Sequence, residues 1–231
     1  MSWEVDHLVV GAASLDEGAA WCRATLGVEA AAGGSHPLMG THNRLLAIGS
    51  AAYPDCYLEI IAVDPQAPPP GRARWFDLDD AGVRDALARG PALLHWVARS
   101  TDLAADCTAL AALGIDRGDL LAAERAAAQG LLRWRISVRA DGARLFGGAL
   151  PTLIEWTGDL HPATSLPASG VELRKLSLGG LPASLRARLP AGVECHAGHA
   201  GAALRATLQT PRGGVELAGD VPSSNNKKGL A

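Results

Sequence analysis

The sequence predicts an α+β fold in which two βαβββ modules pair to form a cupped mixed sheet, with a third, degenerate βαβββ-like module at the C-terminus. Two observations support this prediction. The same order of elements, a strand, a helix and then further strands, recurs three times along the chain, as in an internal repeat. In the first two copies, a histidine in the opening strand (VDHLVV, LLHWVA) is followed by a glutamate in the last strand (YLEII, TLIEW).

The first copy covers residues 1–65 and opens with the strand WEVDHLVVGA. A helix is expected to begin at Ser14, because Ser14 is a good N-cap and Glu17 follows three residues later, as in a capping box. The helix is expected to end at Leu26, since Gly27 suits the left-handed conformation that follows many helices. The remaining strands of this copy are expected near residues 28–32, 43–48 and 57–63.

The second copy covers residues 92–160 and follows a proline-rich linker, residues 66–91. It opens with the strand ALLHWVARS. Its helix is expected to begin at Ser100 or Thr101 and to end near Leu113, where a glycine follows. Its later strands are expected near residues 131–138 and 152–157.

The third copy covers residues 170–220 and departs from the pattern, because Lys175 takes the histidine position. A protonated lysine cannot ligate a metal, so we expect no metal half-site here. Lys175 and Glu216 either form a salt bridge or are two unrelated exposed charges. The sheet edge of this copy must be covered, either within the chain or in a homodimer. Residues 221–231 are expected to form a flexible tail.

Composition indicates a globular domain, since 48% of the 231 residues are hydrophobic and 19% are charged. The net charge of −3 argues against nucleic acid as a partner. No run of about 20 apolar residues suggests a membrane span, and the acidic start does not resemble a signal peptide. Scattered cysteines without a C-x-x-C pair are typical of a reduced, cytoplasmic protein. The four cysteines are Cys22, Cys56, Cys107 and Cys195.

The two histidines and two glutamates of the repeats have the character of metal ligands. Side chains alternate along a strand, and large apolar residues occupy the opposite face, where helices are expected to pack. A charged group in the middle of such a strand costs free energy unless it has a partner. Two imidazoles and two carboxylates suit a divalent cation, so we expect His7, Glu59, His95 and Glu155 to converge on a metal. The alternative is a hydrogen-bonded cluster without a metal.

Two further segments are candidates for substrate contacts. In GGSHPLMGTHNR, the residues His36, Asn43 and Arg44 are expected at the rim of the cup, the alternative being a purely structural loop. In RWRISVRA, Arg133 and Arg135 share a face. If the intervening tryptophan packs on a helix, these arginines face the concave side and suit an anionic substrate. The alternative is an ordinary solvated strand face.

These residues together resemble the glyoxalase-like domain family of the vicinal oxygen chelate superfamily, which includes glyoxalases, bleomycin-resistance proteins and dioxygenases. The narrower family is suggested by GGSHPLMGTHNRLLAIG. The resemblance implies a cupped sheet around a metal whose ligands come from the first and last strands of each module. In this sequence those positions are His7, Glu59, His95 and Glu155.

The resemblance implies a cytoplasmic, metal-dependent lyase or isomerase that acts on a small oxygenated, possibly anionic substrate, with Glu59 or Glu155 moving a proton. A two-histidine, two-glutamate site favours zinc, nickel, manganese or cobalt over redox iron. One alternative is a non-catalytic protein that binds or sequesters a small molecule. Another is a ring-cleaving dioxygenase with iron held by His7, His95 and Glu155.

Overall fold

Twelve strands form two sheets in the computed structural model, which describes residues 3–127, 130–196 and 202–222. The strands are β1 (Glu4–Gly11), β2 (Ala31–His36), β3 (Thr41–Ala47), β4 (Tyr57–Val63), β5 (Ala92–Arg99), β6 (Asp119–Ala127), β7 (Gly130–Val138), β8 (Thr152–Thr157), β9 (Glu172–Gly179), β10 (Val193–His196), β11 (Leu204–Thr210) and β12 (Gly213–Ala218). The α-helices are α1 (Leu15–Trp21), α2 (Ala81–Leu87), α3 (Leu103–Ala111), α4 (Pro162–Ser165) and α5 (Ala183–Arg186).

The first sheet confirms the paired modules. Its eight strands run in the order β2-β3-β4-β1-β5-β8-β7-β6. The opening strands of the two modules, β1 and β5, pair antiparallel at the centre. Each opening strand also pairs in parallel with the last strand of its own module, β4 or β8. The two halves therefore have the same strand order from the centre outwards, and the sheet curves into a cup.

The helix boundaries follow from the local sequence. The Ser14 hydroxyl accepts a hydrogen bond from the Glu17 backbone N–H at 3.2 Å and caps α1. A π-helical turn over Cys22–Leu26 extends α1 to Gly27, which has φ of 76°. In the second module the cap is Asp102, whose carboxylate accepts from the backbone N–H of Ala105.

The third unit has the expected β-α-β-β-β order along the chain but a different strand order, β10-β9-β11-β12. Its opening strand β9 pairs with β10 and β11, whereas the opening strands of the other modules pair with the last strand of their own module. Of the two alternatives for Lys175 and Glu216, the mutual salt bridge is wrong, because β11 separates their strands, and the two charges are unrelated to one another. Lys175 binds Glu194 and Glu216 binds Arg205, each at 2.7 Å.

Two apolar clusters lie on opposite faces of the large sheet. On the helix side, Leu8, Trp96 and Leu103 pack together with residues of the third unit such as Leu173. On the cup side, Val9, Ile61, Phe76, Val97 and Trp134 belong to a second cluster. The third unit thus adds to the core beneath the cup, and the second cluster fills much of the cup itself.

The segment expected to be a linker is part of the core. Residues 66–91 contain α2 and a 3₁₀ turn, Trp75–Asp77, whose three residues are buried. The chain from residue 223 onwards, where the tail was expected, lies outside the described residues. None of the helices within the described ranges is long and apolar enough to cross a membrane.

Candidate functional site

Asp6 and His7 lie side by side at the centre of the cup because β1 contains a bulge. The pairing of β1 with β5 shifts register between Val5 and His7, so that Asp6 has no partner in the ladder. The Asp6 Oδ1 atom lies 2.6 Å from His7 Nδ1. Strict alternation along a strand predicts that these two side chains point to opposite faces of the sheet, so the sequence did not indicate Asp6 as a site residue.

The Asp6 carboxylate is fully buried and has three partners. Besides His7, its Oδ2 atom accepts from Trp156 Nε1 at 2.9 Å and lies 3.0 Å from His161 Nε2. Burial raises the pKa of Asp6, but the hydrogen bonds from His161 and His7 outweigh burial, and the pKa lies well below its ordinary value. An ionised Asp6 accepts a hydrogen bond from the Nδ1–H group of His7, and in this neutral tautomer the Nε2 atom of His7 carries a lone pair that faces the cup.

Glu59 lies on β4, the strand next to β1, and its side chain faces His7. Its Oε2 atom lies 3.7 Å from His7 Nε2. Asn43 Nδ2 donates to its Oε1 atom at 2.6 Å, and the Asn43 Oδ1 atom accepts from the Gly34 backbone N–H at 2.8 Å. Asn43 therefore holds one oxygen of Glu59 and leaves the other turned towards His7. Because His7 Nε2 and Glu59 Oε2 are both acceptors, the position between them suits a proton donor or a cation.

His36 extends this network from the end of β2. Its Nδ1 atom lies 3.1 Å from Thr41 Oγ1, and its Nε2 atom lies 3.3 Å from Asn43 Nδ2 and 3.8 Å from Glu59 Oε1. Burial lowers the pKa of His36 to about 4, so that its imidazole is neutral at neutral pH. His36, Asn43, Glu59, His7 and Asp6 thus form a continuous polar cluster, which we call the Asp6–Glu59 cluster.

A cavity of about 610 Å³ lies beside this cluster, between β2, β6 and β7. Its lining is mainly apolar and includes Leu38, Met39, Trp75, Trp134 and Ile136, with His36 among them. A smaller chamber of about 30 Å³ adjoins the cavity and shares several of these walls. The chamber is lined by the polar atoms of the cluster, and it has room for one or two water molecules.

Arg125, on β6, also lines the inner chamber and was missed by the sequence analysis. Its side chain packs closely against Gly34, where a Cβ atom would clash with it. Its Nε atom is buried without a hydrogen-bond partner. Its positive charge contributes to the low pKa of His36, after the larger effect of burial. Arg125 therefore brings a guanidinium charge to the chamber beside Glu59.

His95 lies on the cup side of β5, as expected, but its Nε2 atom is already occupied. The backbone N–H of Thr152 donates to Nε2 at 3.0 Å, and the Thr152 hydroxyl lies 3.1 Å away. Burial lowers the pKa of His95 well below its ordinary value, and the charges of Arg117 and Arg144 lower it further. A neutral imidazole whose Nε2 lone pair accepts a backbone N–H cannot also offer that lone pair to a metal.

Glu155 lies on the helix side of the sheet, which corrects its expected direction. It alternates as expected with Leu153, but Leu153 packs in the helix-side core. The Glu155 Oε2 atom accepts from the Leu103 backbone N–H at 3.1 Å, at the start of α3, and from Arg135 Nη2 at 2.7 Å. A carboxylate at a helix N-terminus is favourable. Glu155 is thus a structural partner of α3, away from His7 and Glu59.

The arginines expected at the substrate site are engaged with neighbours. Trp134 and Ile136 occupy the cup side of β7, which places the arginines on the other face. Arg133 and Arg135 are among the residues that border the large cavity, but Arg133 pairs with Glu124 at 3.2 Å, and Arg135 pairs at 2.7 Å with Glu155 on the helix side of the sheet. Arg44 alternates with Asn43 along β3 and is not part of the cavity lining.

Two aromatic rings from the linker separate the expected ligands. The Trp75 ring contacts His36 edge-on at 5.1 Å, and the Phe76 ring lies 5.2 Å from His95, both distances between ring centroids. Phe76 and Asp77 have φ of 60° and 59°, which is strained for residues other than glycine. The Asp77 carboxylate accepts from Arg144 Nε at 2.9 Å and holds the turn in place. We call Trp75 and Phe76 the aromatic plug.

The sequence of this chain matches one protein-family model. The sequence matches the model of the glyoxalase-like domain family over residues 5–191. The chain belongs to the glyoxalase-like domain family. No curated protein matches the sequence of this glyoxalase-like protein.

Several solved structures are similar to this chain, and the first of the following shares its fold. A hypothetical protein from Staphylococcus aureus is 15% identical, with a TM-score of 0.54 over 81% of this chain and 73% of that chain. A methylmalonyl-CoA epimerase variant from Streptomyces coelicolor, in complex with 2-nitronate-propionyl-CoA, is 18% identical, with a TM-score of 0.41 over 69% of this chain and 100% of that one. The methylmalonyl-CoA epimerase of Mycobacterium tuberculosis is 20% identical, with a TM-score of 0.39 over 66% and 86%.

The four family ligand positions of this glyoxalase-like protein do not fit a common metal centre. His7 and Glu59 face one another, but His95 accepts a backbone hydrogen bond and Glu155 points to α3. Within residues 3–127, 130–196 and 202–222, no three His, Cys, Asp or Glu residues form a group that could hold a metal ion. The convergence expected from the sequence is therefore corrected to the pair His7 and Glu59.

Proposed function

We propose that this glyoxalase-like protein is an enzyme of the lyase or isomerase type that moves a proton on a small, oxygenated, anionic molecule bound in the cup. The observation that carries this proposal is the line Asp6–His7–Glu59 beside the apolar cavity. Two acceptor atoms, His7 Nε2 and Glu59 Oε2, lie 3.7 Å apart in a chamber with room for one or two water molecules. Such a pair suits removal of a proton from one position and its return at another.

Each residue of the cluster has a distinct part in this proposal. Glu59 takes the proton from an acidic C–H or O–H group, because Asn43 fixes one of its oxygens and leaves the other free. His7 accepts or returns a proton at Nε2, because Asp6 holds its Nδ1 proton. His36 stays neutral at neutral pH and offers its Nε2 lone pair to Asn43. Asp6 is a positioning residue, since it contacts His7 and not the chamber.

The residues that line the cavity and the inner chamber indicate the class of substrate. The cavity of about 610 Å³ is lined mainly by apolar and aromatic side chains, which suits the non-reacting part of a small organic molecule. Arg125 places a guanidinium group without a hydrogen-bonded Nε atom at the inner chamber. Guanidinium groups bind carboxylates and phosphates with two hydrogen bonds. Arg125 is therefore proposed to hold the anionic end of the substrate close to Glu59.

Metal dependence remains a prediction from the family resemblance, with zinc, nickel, manganese or cobalt ahead of iron. His7 and Glu59 are the residues that would contact such an ion, and it would supply Lewis-acid stabilisation of a developing oxyanion. No step proposed for the residues above depends on it. The iron triad of a dioxygenase has less support, since His95 and Glu155 have other partners. A cytoplasmic location and a homodimer also remain predictions.

Deuterium exchange tests the proposal without knowledge of the complete reaction. The protein is incubated in D₂O with a panel of 2-hydroxy acids, 2-oxo acids and their thioesters, and loss of the C–H signal is followed by proton NMR. We expect exchange on at least one of these compounds. Glu59→Gln and His7→Gln should each lower the exchange rate by about 100-fold or more, the usual contribution of a general base.

Glu172→Gln is the matched control, because Glu172 is an exposed glutamate that pairs with Arg174 on β9. This variant should exchange at the wild-type rate. Equal exchange rates in the wild type, Glu59→Gln and His7→Gln would contradict the assigned roles.

A second candidate, a non-catalytic binding or sequestering protein, is favoured by the apolar character of the large cavity. A ligand could fill that cavity without touching Glu59. Trp75 and Trp134 line the cavity, so that their fluorescence reports binding. Binding without any exchange, and with the same affinity in Glu59→Gln, would support this second candidate over the enzyme.

A further inference from the structure

Arg117 is a buried cation without a carboxylate partner. It lies between α3 and β6, and only 5% of its surface is exposed. Its Nη2 atom donates to the Thr152 hydroxyl at 3.3 Å, and its Nε atom has no hydrogen-bond partner. In the part of the chain that the structure describes, no acidic side chain lies within ion-pair distance of Arg117. A buried charge of this kind is costly unless a counter-charge accompanies it.

A small chamber adjoins Arg117 on the far side of the aromatic plug from Glu59. Side chains around it include Arg117, His95, Ser137 and Thr152, and Phe76 forms one wall. Its volume is about 10 Å³, which admits one particle of about the size of a water molecule. This chamber, which we call the Arg117 chamber, is too small for an organic substrate.

The other cations around the Arg117 chamber are already neutralised. Arg139 binds the Asp141 carboxylate through two nitrogen atoms, at 2.9 and 2.8 Å. Arg144 binds Asp77 at 2.9 Å. Arg139 also lies 3.6 Å from Asp116, the carboxylate that precedes Arg117 in the sequence. In the part of the chain that the structure describes, Arg117 is the one of these three arginines that makes no ion pair of its own.

Titration does not remove the charge of Arg117. Burial lowers the pKa of Arg117 to about 10, so that it is still protonated at neutral pH. His95 adds no charge, since its pKa is held well below its ordinary value by burial and by the nearby guanidinium groups. Arg117 is therefore charged at neutral pH, and the described residues that line the chamber include three arginines and no carboxylate.

We propose that the Arg117 chamber binds one small monovalent inorganic anion, of the size class of chloride, as the counter-ion of Arg117. The free Nε–H of Arg117 supplies a hydrogen-bond donor in addition to the charge. The Ser137 hydroxyl accepts from the Leu153 backbone N–H at 3.1 Å, which leaves its own proton available to the anion. The anion would stabilise the packing of β5 against β7 and, through Phe76, the aromatic plug.

Thermal unfolding in chloride and in gluconate at the same ionic strength tests this proposal on the full-length protein. Chloride is slightly larger than the water-sized particle that the chamber admits, whereas gluconate is an organic anion several times larger. At a chloride concentration about 100-fold above the dissociation constant, we expect the Tm to exceed that in gluconate by about 5 °C. Arg117→Gln should abolish the difference. Arg174→Gln, which removes an exposed guanidinium on β9, should retain it.

Bromide gives a second measurement that does not require a variant. In crystals of the wild-type protein soaked in bromide, an anomalous peak is expected beside Arg117 Nε. Equal Tm values in chloride and gluconate, together with no bromide peak at Arg117, would overturn the proposal and assign the chamber to water. If Arg117→Gln does not fold, Arg117→Lys replaces it, and it should keep a reduced chloride effect because its ammonium group also binds an anion.

Discussion

The low pKa of His36 makes the stability of the protein depend on pH. Burial lowers this pKa from 6.5 to about 4. The unfolded chain therefore takes up a proton at His36 as the pH falls below 6.5, while the folded chain does not. The contribution of His36 to stability is complete above pH 6.5 and is lost progressively as the pH falls towards 4.

The size of the effect follows from the two pKa values. Between pH 7 and pH 5, linkage for one histidine with pKa values of 6.5 unfolded and about 4 folded gives a loss of about 2 kcal/mol in the free energy of unfolding. The pKa of His95 is shifted in the same direction, so the wild type should lose more than the contribution of His36 alone over this range. Carboxylates contribute little above pH 5, because most of them remain ionised there.

Urea unfolding at pH 7 and pH 5 measures this loss directly. His36→Gln keeps a polar side chain near Thr41 and should reduce the pH-dependent loss by about 2 kcal/mol. The exposed His196, 63% of whose side chain is accessible, supplies the matched control. His196→Gln should show the wild-type loss. An unchanged pH dependence in His36→Gln would refute the assignment of a buried, neutral imidazole.

Three further predictions test the cluster and the plug. Asp6→Asn should lower the free energy of unfolding by about 2–3 kcal/mol in urea, because the charged acceptor of two histidines is lost; a change below 0.5 kcal/mol would contradict the hydrogen-bond network. Phe76→Gly should lower the free energy of unfolding by about 2–4 kcal/mol in the same assay, since the loss of the buried ring outweighs the relief of strain in its left-handed backbone conformation. A stabilised variant would show that the ring does not pack as described. Protein purified without chelator should contain well under one divalent ion per chain by elemental analysis, because two facing ligands bind weakly, and any metal dependence should then show only when the ion is added to the assay; stoichiometric metal that is lost in His95→Ala would contradict the aromatic plug.

Much of the fold could be predicted because the repeats carry clear local signals. Ser14, Glu17 and Gly27 mark the ends of the first helix, and apolar runs mark the central strands. Strand β6 was not predicted, because LLAAERAA is rich in alanine and charged residues that have low strand propensity. Its nine residues become a strand by pairing with β7 along their whole length. That pairing is a tertiary effect that local propensity does not contain.

The site was harder to predict than the fold because alternation gives relative directions only. Leu153 and Glu155 share a face of β8, as predicted, but which face is set by packing against α3. Arg135 and Glu155 lie opposite one another on β7 and β8, and opposite charges at such positions stabilise a sheet. Their pairing could have been predicted from the register of these two strands. No sequence signal indicated the direction of Asp6, because the segment VDHLVV does not reveal the β-bulge between Val5 and His7.

The aromatic plug accounts for the difference between the expected and observed centres. It comes from a segment outside both repeats, so the comparison of the two copies carried no information about it. Once Trp75 and Phe76 occupy the space between His36 and His95, the polar residues of the two halves no longer meet at one centre. In the first half, His7 contacts Asp6 and Glu59, next to a cavity that can admit a substrate. The second half holds His95 with backbone groups and surrounds it with buried arginines, and it contributes Arg125 and the walls formed by β6 and β7 to the substrate cavity.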